Sequence, residues 1–258
     1  YQGIISVDFM CYPVKLEELR KSAEEFGLGI IEDACCTTGG YFIDSNGEKQ
    51  YCGNGRYAEL AIFSCHPVKH ITSGEGGMIT TNDGKLYQKL LMLRTHGITK
   101  NPDLLIENHG GWYYEMQELG YNYRLPDINA ALGLSQLNRA DAGVSRRQEI
   151  AKMYDTAFDG KIKIIKPSSN VSHAYHLYVI QVNNRKELYD KLKEKGIFAQ
   201  VHYIPVHTLP YYQSLGYKKG SMHNAEKYYE QCLSIPMYPT MTNDDVEYVI
   251  ESILELAK

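Results

Sequence analysis

A strand, a helix and a second strand within the first 33 residues constrain this chain more than any other feature. Gly3-Ile4-Ile5-Ser6-Val7-Asp8 reads as a buried strand. From Lys15 to Phe26, Leu16, Leu19, Ala23 and Phe26 recur at helical spacing, and Gly27 stands where a helix C-cap belongs. Leu28-Gly29-Ile30-Ile31 is then a short apolar run ending in Glu32-Asp33. A β-α-β unit of this length requires two parallel strands joined by a crossover helix. Ligands of such sheets gather at the carboxyl ends of the strands, and Asp33 stands at that address.

Residues 39–55 are rich in Gly, Asn and Asp and predict a surface excursion with a hairpin about Asn46-Gly47. Leu60 to Ser64 reads as another buried strand, Met78 to Thr81 as a further one, and Lys85 to His96 as a helix. Gly97 to Arg124 has no periodicity yet holds Trp112, Tyr113, Tyr114, Tyr121 and Tyr123, which predicts a long ordered loop with a function. Pro126, at a first-turn position, opens a helix through Leu137, and Ala140 to Phe158 forms a longer one. Beyond Lys161 the pattern changes to a strand over Ala174 to Val182, a helix over Arg185 to Lys195 closed by Gly196, and a strand over Ile197 to Tyr203. Thr242-x-x-Asp245 then caps a terminal helix ending near Ala257. The expected organisation is a larger unit over 1–139, a connecting helix over 140–160 and a small α+β domain over 161–258.

With 43% hydrophobic and 22% charged residues the 258-residue chain is globular in composition, and a net charge of -4 offers no basic patch for nucleic acid. No apolar run approaches the roughly 18 residues of a membrane span, and no signal peptide is read ahead of the first strand, so the expected location is the cytoplasm. The six cysteines contain no C-x-x-C pair and predict buried, reduced thiols. Cys35-Cys36 with His66 would make a poor metal chelate, and His202, His207 and His223 have no metal-site spacing, so no metal is expected.

Lys69 follows a strand and Pro67, among the short polar groups of Ser64, His66, Thr72 and Ser73. A lysine there is either an exposed loop residue or a Schiff-base nucleophile, because desolvation and nearby cations free an amine to attack a carbonyl. Asp33 is either a helix N-cap or a carboxylate paired with a cation, and a protonated pyridine nitrogen is one cation that fits. Gly74-Glu75-Gly76-Gly77 is not a phosphate-binding fingerprint and precedes a strand, so a close turn beside the lysine is its expected role.

Four groups of residues occur together: Glu32-Asp33-Ala34; Phe63-Ser64-Cys65-His66-Pro67-Val68-Lys69 with Gly74-Glu75-Gly76-Gly77; Gly120-Tyr121-Asn122-Tyr123-Arg124; and Ala130 to Leu137. With His202-Tyr203-Ile204-Pro205-Val206-His207 and Leu233-Ser234-Ile235-Pro236, they resemble, in collinear order over essentially the whole chain, the DegT/DnrJ/EryC1/StrS family. That resemblance implies a pyridoxal-phosphate-dependent nucleotide-sugar aminotransferase of the α/β, aspartate-aminotransferase-like fold (PLP fold type I). Residues 1–139 would be the remainder of its large cofactor-binding domain. It implies Lys69 as the Schiff-base lysine and proton carrier, Asp33 as the partner of the pyridine nitrogen, and Ser64 at the cofactor phosphate. Asn122 would reach that phosphate from the neighbouring subunit of a homodimer, and Cys36 would stand against the cofactor ring where the family has His or Gln. His207, Arg124 and Tyr203 would contact substrate.

Within the family, His66-Pro67-Val68-Lys69 and Glu118 to Leu125 look most like the branch that aminates UDP-linked 4-keto-6-deoxy-N-acetylhexosamines on the way to pseudaminic acid, with glutamate as amino donor. The alternatives are a dehydratase, in whose relatives a His replaces the lysine, or a non-catalytic sugar-nucleotide-binding relative on the same scaffold. Because the chain starts at Tyr1 and family members run longer, the resemblance implies an N-terminally incomplete large domain that holds only part of the cofactor pocket.

Overall fold

The computed structural model describes residues 3–257; Tyr1, on which the expectation of an incomplete chain rests, lies outside them. The chain divides into two units, one comprising the residues up to Asp8 and Pro13–Ala140, the other Phe9–Tyr12 and Asp141 onward.

In the first unit, β1 (Gly3–Val7), α1 (Leu16–Glu25) and β2 (Gly29–Asp33) form the expected β-α-β unit. The two strands pair in parallel from Gly3↔Gly29 to Val7↔Asp33, and Gly27 ends the helix in a left-handed conformation. β3 (Tyr41–Ile43) and β4 (Lys49–Tyr51) make the hairpin about Asn46-Gly47. β5 (Leu60–Ser64) pairs in parallel with β2, and β6 (Gly77–Thr80) returns antiparallel to β5, giving the order β1-β2-β5-β6. α2 (Gly84–Leu93) starts on Asp83, whose Oδ1 accepts the amides of Lys85 and Leu86 at 2.7 and 3.1 Å. β7 (Ile98–Thr99) and β8 (Glu115–Met116) pair across the aromatic stretch, so that segment is clasped at its base. α3 (Asp127–Leu137) takes Pro126 as its N-cap and buries none of its own residues.

Leu16 and Ala23 of α1, Ile30 of β2 and Ala61 of β5 are the buried apolar side chains of this α/β layer. One expectation fails here. β1 is an edge strand, and Ile5 and Val7 are 67% and 51% exposed, so among the described residues nothing covers that face.

The second unit begins with α4 (Ala140–Phe158), followed by β9 (Lys163–Ile164), β10 (Val171–Ser172), β11 (Tyr178–Gln181) and α5 (Arg185–Glu194). α6 (Pro210–Ser214), α7 (His223–Gln231), β12 (Cys232–Ile235) and α8 (Asn243–Leu256) complete it. Its antiparallel sheet runs β12-β11-β9 and packs against Ile150, Tyr154 and Phe158 of α4, Leu188 and Leu192 of α5, and Val246 and Ile253 of α8. The helix over 140–158, expected as a connector, is thus a wall of this core; the Tyr154 hydroxyl donates to the Pro236 carbonyl at 2.8 Å. The capping box at Thr242 and Asp245 is present. The strand expected over Ile197 to Tyr203 is absent: Gln200 alone bridges to Ser234, while the paired strand at this place is β12. Cys232, Leu233, Ser234 and Ile235 are all buried, so β12 carries no alternation to betray it.

Candidate active site

Pairing of Asp33 with Ile62 sets Asp33 and Ser64 at the carboxyl ends of adjacent parallel strands, with Ser64 two residues beyond its register position. The alternation of β2 sends Ile30 and Glu32 to a buried face and leaves Asp33 half-buried on the other. Past Asp33 the chain turns, with the Cys35 amide donating to Asp33 Oδ1 at 3.1 Å and the Thr37 amide to the Ala34 carbonyl at 3.0 Å. That turn presents Cys36.

Lys69 arrives from the far end of β5. The segment from Cys65 to Gly76 leaves the sheet and returns as β6, and its ends are tied by the Cys65 amide to the Gly76 carbonyl and the Ser73 amide to the Cys65 carbonyl, both at 2.9 Å. Inside it the Lys69 amide donates to the His66 carbonyl at 2.9 Å, and the His66 amide to Ser64 Oγ at 3.3 Å. Gly76 has φ +151°, and a Cβ there would come within 2.5 Å of Ser73 Oγ and 2.7 Å of Leu125 Cδ1, so the closing turn requires glycine. The Asn129 side chain, from α3, donates to the Ser73 carbonyl at 2.5 Å and pins the same turn. The glycine run is therefore the close turn expected beside the lysine.

The consequence is a contact between the segments that follow the two strand ends: Lys69 Nζ lies 3.0 Å from Cys36 Sγ. By register Asp33 and Ser64 fall on the same face of the sheet, and the charges of Asp33 and Lys69 both act on Cys35. Burial, then Asp33, push the neighbouring Cys35 thiol up to about 12, against the opposing charge of Lys69. Beside Ser64 lies an apolar cavity of about 350 Å³ lined by Thr38, Phe63, Cys65, Leu125 and Leu134.

Asn122 is exposed and bridges to Thr95, and the Tyr123 amide donates to the Arg94 carbonyl at 2.9 Å, which stitches residues 121–123 along the end of α2; Arg124 follows, exposed. Tyr203 and His207 belong to the second unit. Tyr203 is exposed, whereas His207 is buried and its Nε2 is 2.8 Å from Glu226 Oε1, a carboxylate that also accepts the Gly220 amide. The structure therefore joins Lys69 to Cys36 in the turn after Asp33 and sets Ser64 at the adjacent strand end, while the other four expected residues occupy separate places.

One cluster has no counterpart in the sequence reading. On the other face of β2, Asp8, Glu32 and Cys52 place their polar atoms within 4.8 Å of one another. Thr37 Oγ1 donates to Asp8 Oδ2 at 2.7 Å, the Val14 amide to Asp8 Oδ1 at 2.9 Å and the Gly53 amide to Glu32 Oε2 at 2.8 Å. The available signal was the period of β2, which puts Glu32 on the face of Ile30.

The sequence profile of the DegT/DnrJ/EryC1/StrS aminotransferase family matches residues 1–254. The chain belongs to that family. The UDP-4-amino-4,6-dideoxy-N-acetyl-beta-L-altrosamine transaminase of Campylobacter jejuni is 36% identical over 267 residues, covering 99% of this chain and 67% of its own. The structure of Helicobacter pylori PseC, an aminotransferase involved in the biosynthesis of pseudoaminic acid, superposes with TM-score 0.87 at 29% identity, over 99% of this chain and 67% of that one. The PLP-form of Spr1654 from Streptococcus pneumoniae superposes with TM-score 0.85 at 26% identity, over 99% and 68%. The chain spans about two thirds of the length of these relatives. Among its described residues no helix is long and apolar enough to cross a membrane.

Proposed function

We propose that this family member transfers an amino group from glutamate to the keto carbon of a nucleotide-linked 4-keto-6-deoxy sugar, with pyridoxal phosphate as carrier. The observation that carries the reading is the reach of the Lys69 amine to the turn that follows Asp33. The donor set fits the cofactor: an amine for its carbonyl, a carboxylate for its pyridine nitrogen and a hydroxyl for its phosphate. When bound, the cofactor supplies an electron sink for the pair left behind as a proton departs from carbon.

The protein's own groups do the rest. Lys69 would hold the cofactor through Nζ and would carry a proton at that nitrogen to and from the reacting carbon. Asp33 keeps the ring nitrogen protonated, and its own orientation is fixed by the Cys35 amide. Ser64, at the end of β5, donates to the phosphate, and Asn122 of the partner subunit approaches the same group in a homodimer. Arg124, Tyr203 and His207 take the sugar nucleotide, His207 through the ring edge that Glu226 leaves open. A cytoplasmic enzyme accords with six free cysteines, since thiols persist in reducing compartments. The kinship with the Campylobacter transaminase favours a UDP-linked N-acetylated hexosamine.

The test is an absorbance spectrum of the protein mixed with pyridoxal phosphate. A visible band that borohydride abolishes and that Lys69→Ala lacks is expected. Incubation with glutamate and a panel of UDP- and dTDP-linked 4-keto sugars then names the substrate. No band, or an undiminished band in Lys69→Ala, would refute the assignment.

A further inference from the structure

Cys36 places its sulfur 3.0 Å from a lysine amine, Lys69 Nζ. The other thiols are placed otherwise. Cys11, Cys65 and Cys232 are buried, Cys35 turns its sulfur toward the Ile62 carbonyl and is held up by burial and Asp33 against the charge of Lys69, and Cys52 faces the carboxylates of Asp8 and Glu32. Burial and negative neighbours hold a thiol protonated, whereas a cation within hydrogen-bonding distance favours the thiolate, the form that reacts. Cys36 is only partly buried, so reagents reach it.

We propose that Cys36 and Lys69 form a thiolate–ammonium pair whenever the lysine amine is not bonded to a carbonyl carbon, which makes Cys36 the modification site of this chain for soft carbon electrophiles. The inference rests on the proposed role of Lys69 only for its consequence, namely that a group attached to Cys36 stands where the amine must reach. In the step itself the sulfur forms a bond to the electrophilic carbon, the halide departs with the electrons of the broken carbon–halogen bond, and the thiol proton has already passed to solvent. A positioning role for Cys36 follows, because the pair holds the amine beside the turn after Asp33.

The experiment uses iodoacetamide on the protein without added cofactor or substrate, with the rate at each cysteine followed by peptide mass spectrometry across pH. Cys36 should react first and become half-reactive below the ordinary thiol value of about 8.5. In Lys69→Gln that midpoint should rise by at least about one unit, a tenfold slower reaction near neutrality. Lys69→Arg keeps the cation but cannot hold the cofactor, and it should retain the low midpoint, which separates charge from packing. A wild-type midpoint at or above the ordinary value overturns the proposal without recourse to any variant. So does an unchanged midpoint in Lys69→Gln. Because the readout involves no cofactor, its failure is distinguishable from failure of the spectral test of transamination.

Discussion

Glu32 and Asp33 are the same chemical group one peptide bond apart, and the pleat gives them opposite tasks. Asp33 faces the site; its replacement in Asp33→Ala should keep the fold, read by circular dichroism, and lower transamination by about a hundredfold or more, the scale of a lost catalytic proton control. Glu32 faces the core, where burial first and the charge of Asp8 second push its carboxyl up from 4.5 to about 7. Burial raises Asp8 as well. The native state therefore keeps a proton on Glu32 that the unfolded chain has released. That contribution is complete below about pH 4.5 and is lost as pH rises to about 7, a change on the order of 3 kcal/mol. Glu32→Gln cannot ionise and should lack this slope. Urea midpoints at pH 5 and pH 8 should show the wild type losing about 2 kcal/mol more than the variant between those pH values; parallel losses would disprove the buried proton.

At the scale of elements, the segment between β5 and β6 matters most, because it delivers Lys69. Gly76→Ala must displace Ser73 or Leu125, and with them the turn. Titration with pyridoxal phosphate should show affinity weakened by about tenfold, roughly 1.4 kcal/mol, with β-sheet content retained. At the other end of the chain, Thr242→Ala removes a capping box and should cost about 1 kcal/mol in urea unfolding. Legibility in the sequence followed the same logic as these elements. The β-α-β unit, α4, α5 and the cap of α8 announced themselves because period, caps and glycines act within one segment. So did the address of Asp33, since the β-α-β unit fixes the carboxyl end of its second strand, whereas Ser64 was marked only by the family resemblance. β12 was silent because it is buried on both faces, and the run from Ile197 was misread because an apolar stretch becomes a strand only when a partner pairs with it. The acid pair Asp8 and Glu32 is a contact between strands, which no single segment displays.

For the molecule as a whole, the first unit leaves much apolar surface open. Ile128 and Leu134 of α3 are 85% and 67% exposed, and Ile106, Trp112 and Leu119 on the preceding stretch are also exposed. Patches of this kind mark association surfaces. In the proposed homodimer this surface is shared, so Ile128→Asp with Leu134→Asp should halve the mass seen by light scattering, and a wild-type protein that is already monomeric would remove the premise.

The pairing of β1 with β2 has a last consequence, for the fidelity of assembly. A slip of β2 by one residue would turn Asp33 into the packed interior, draw Glu32 away from the Gly53 amide, and expose Ile30 and Glu32 together. Two adjacent acids with unlike surroundings thus act as a proofreading mark: the chain that misplaces Asp33 also forfeits part of its core.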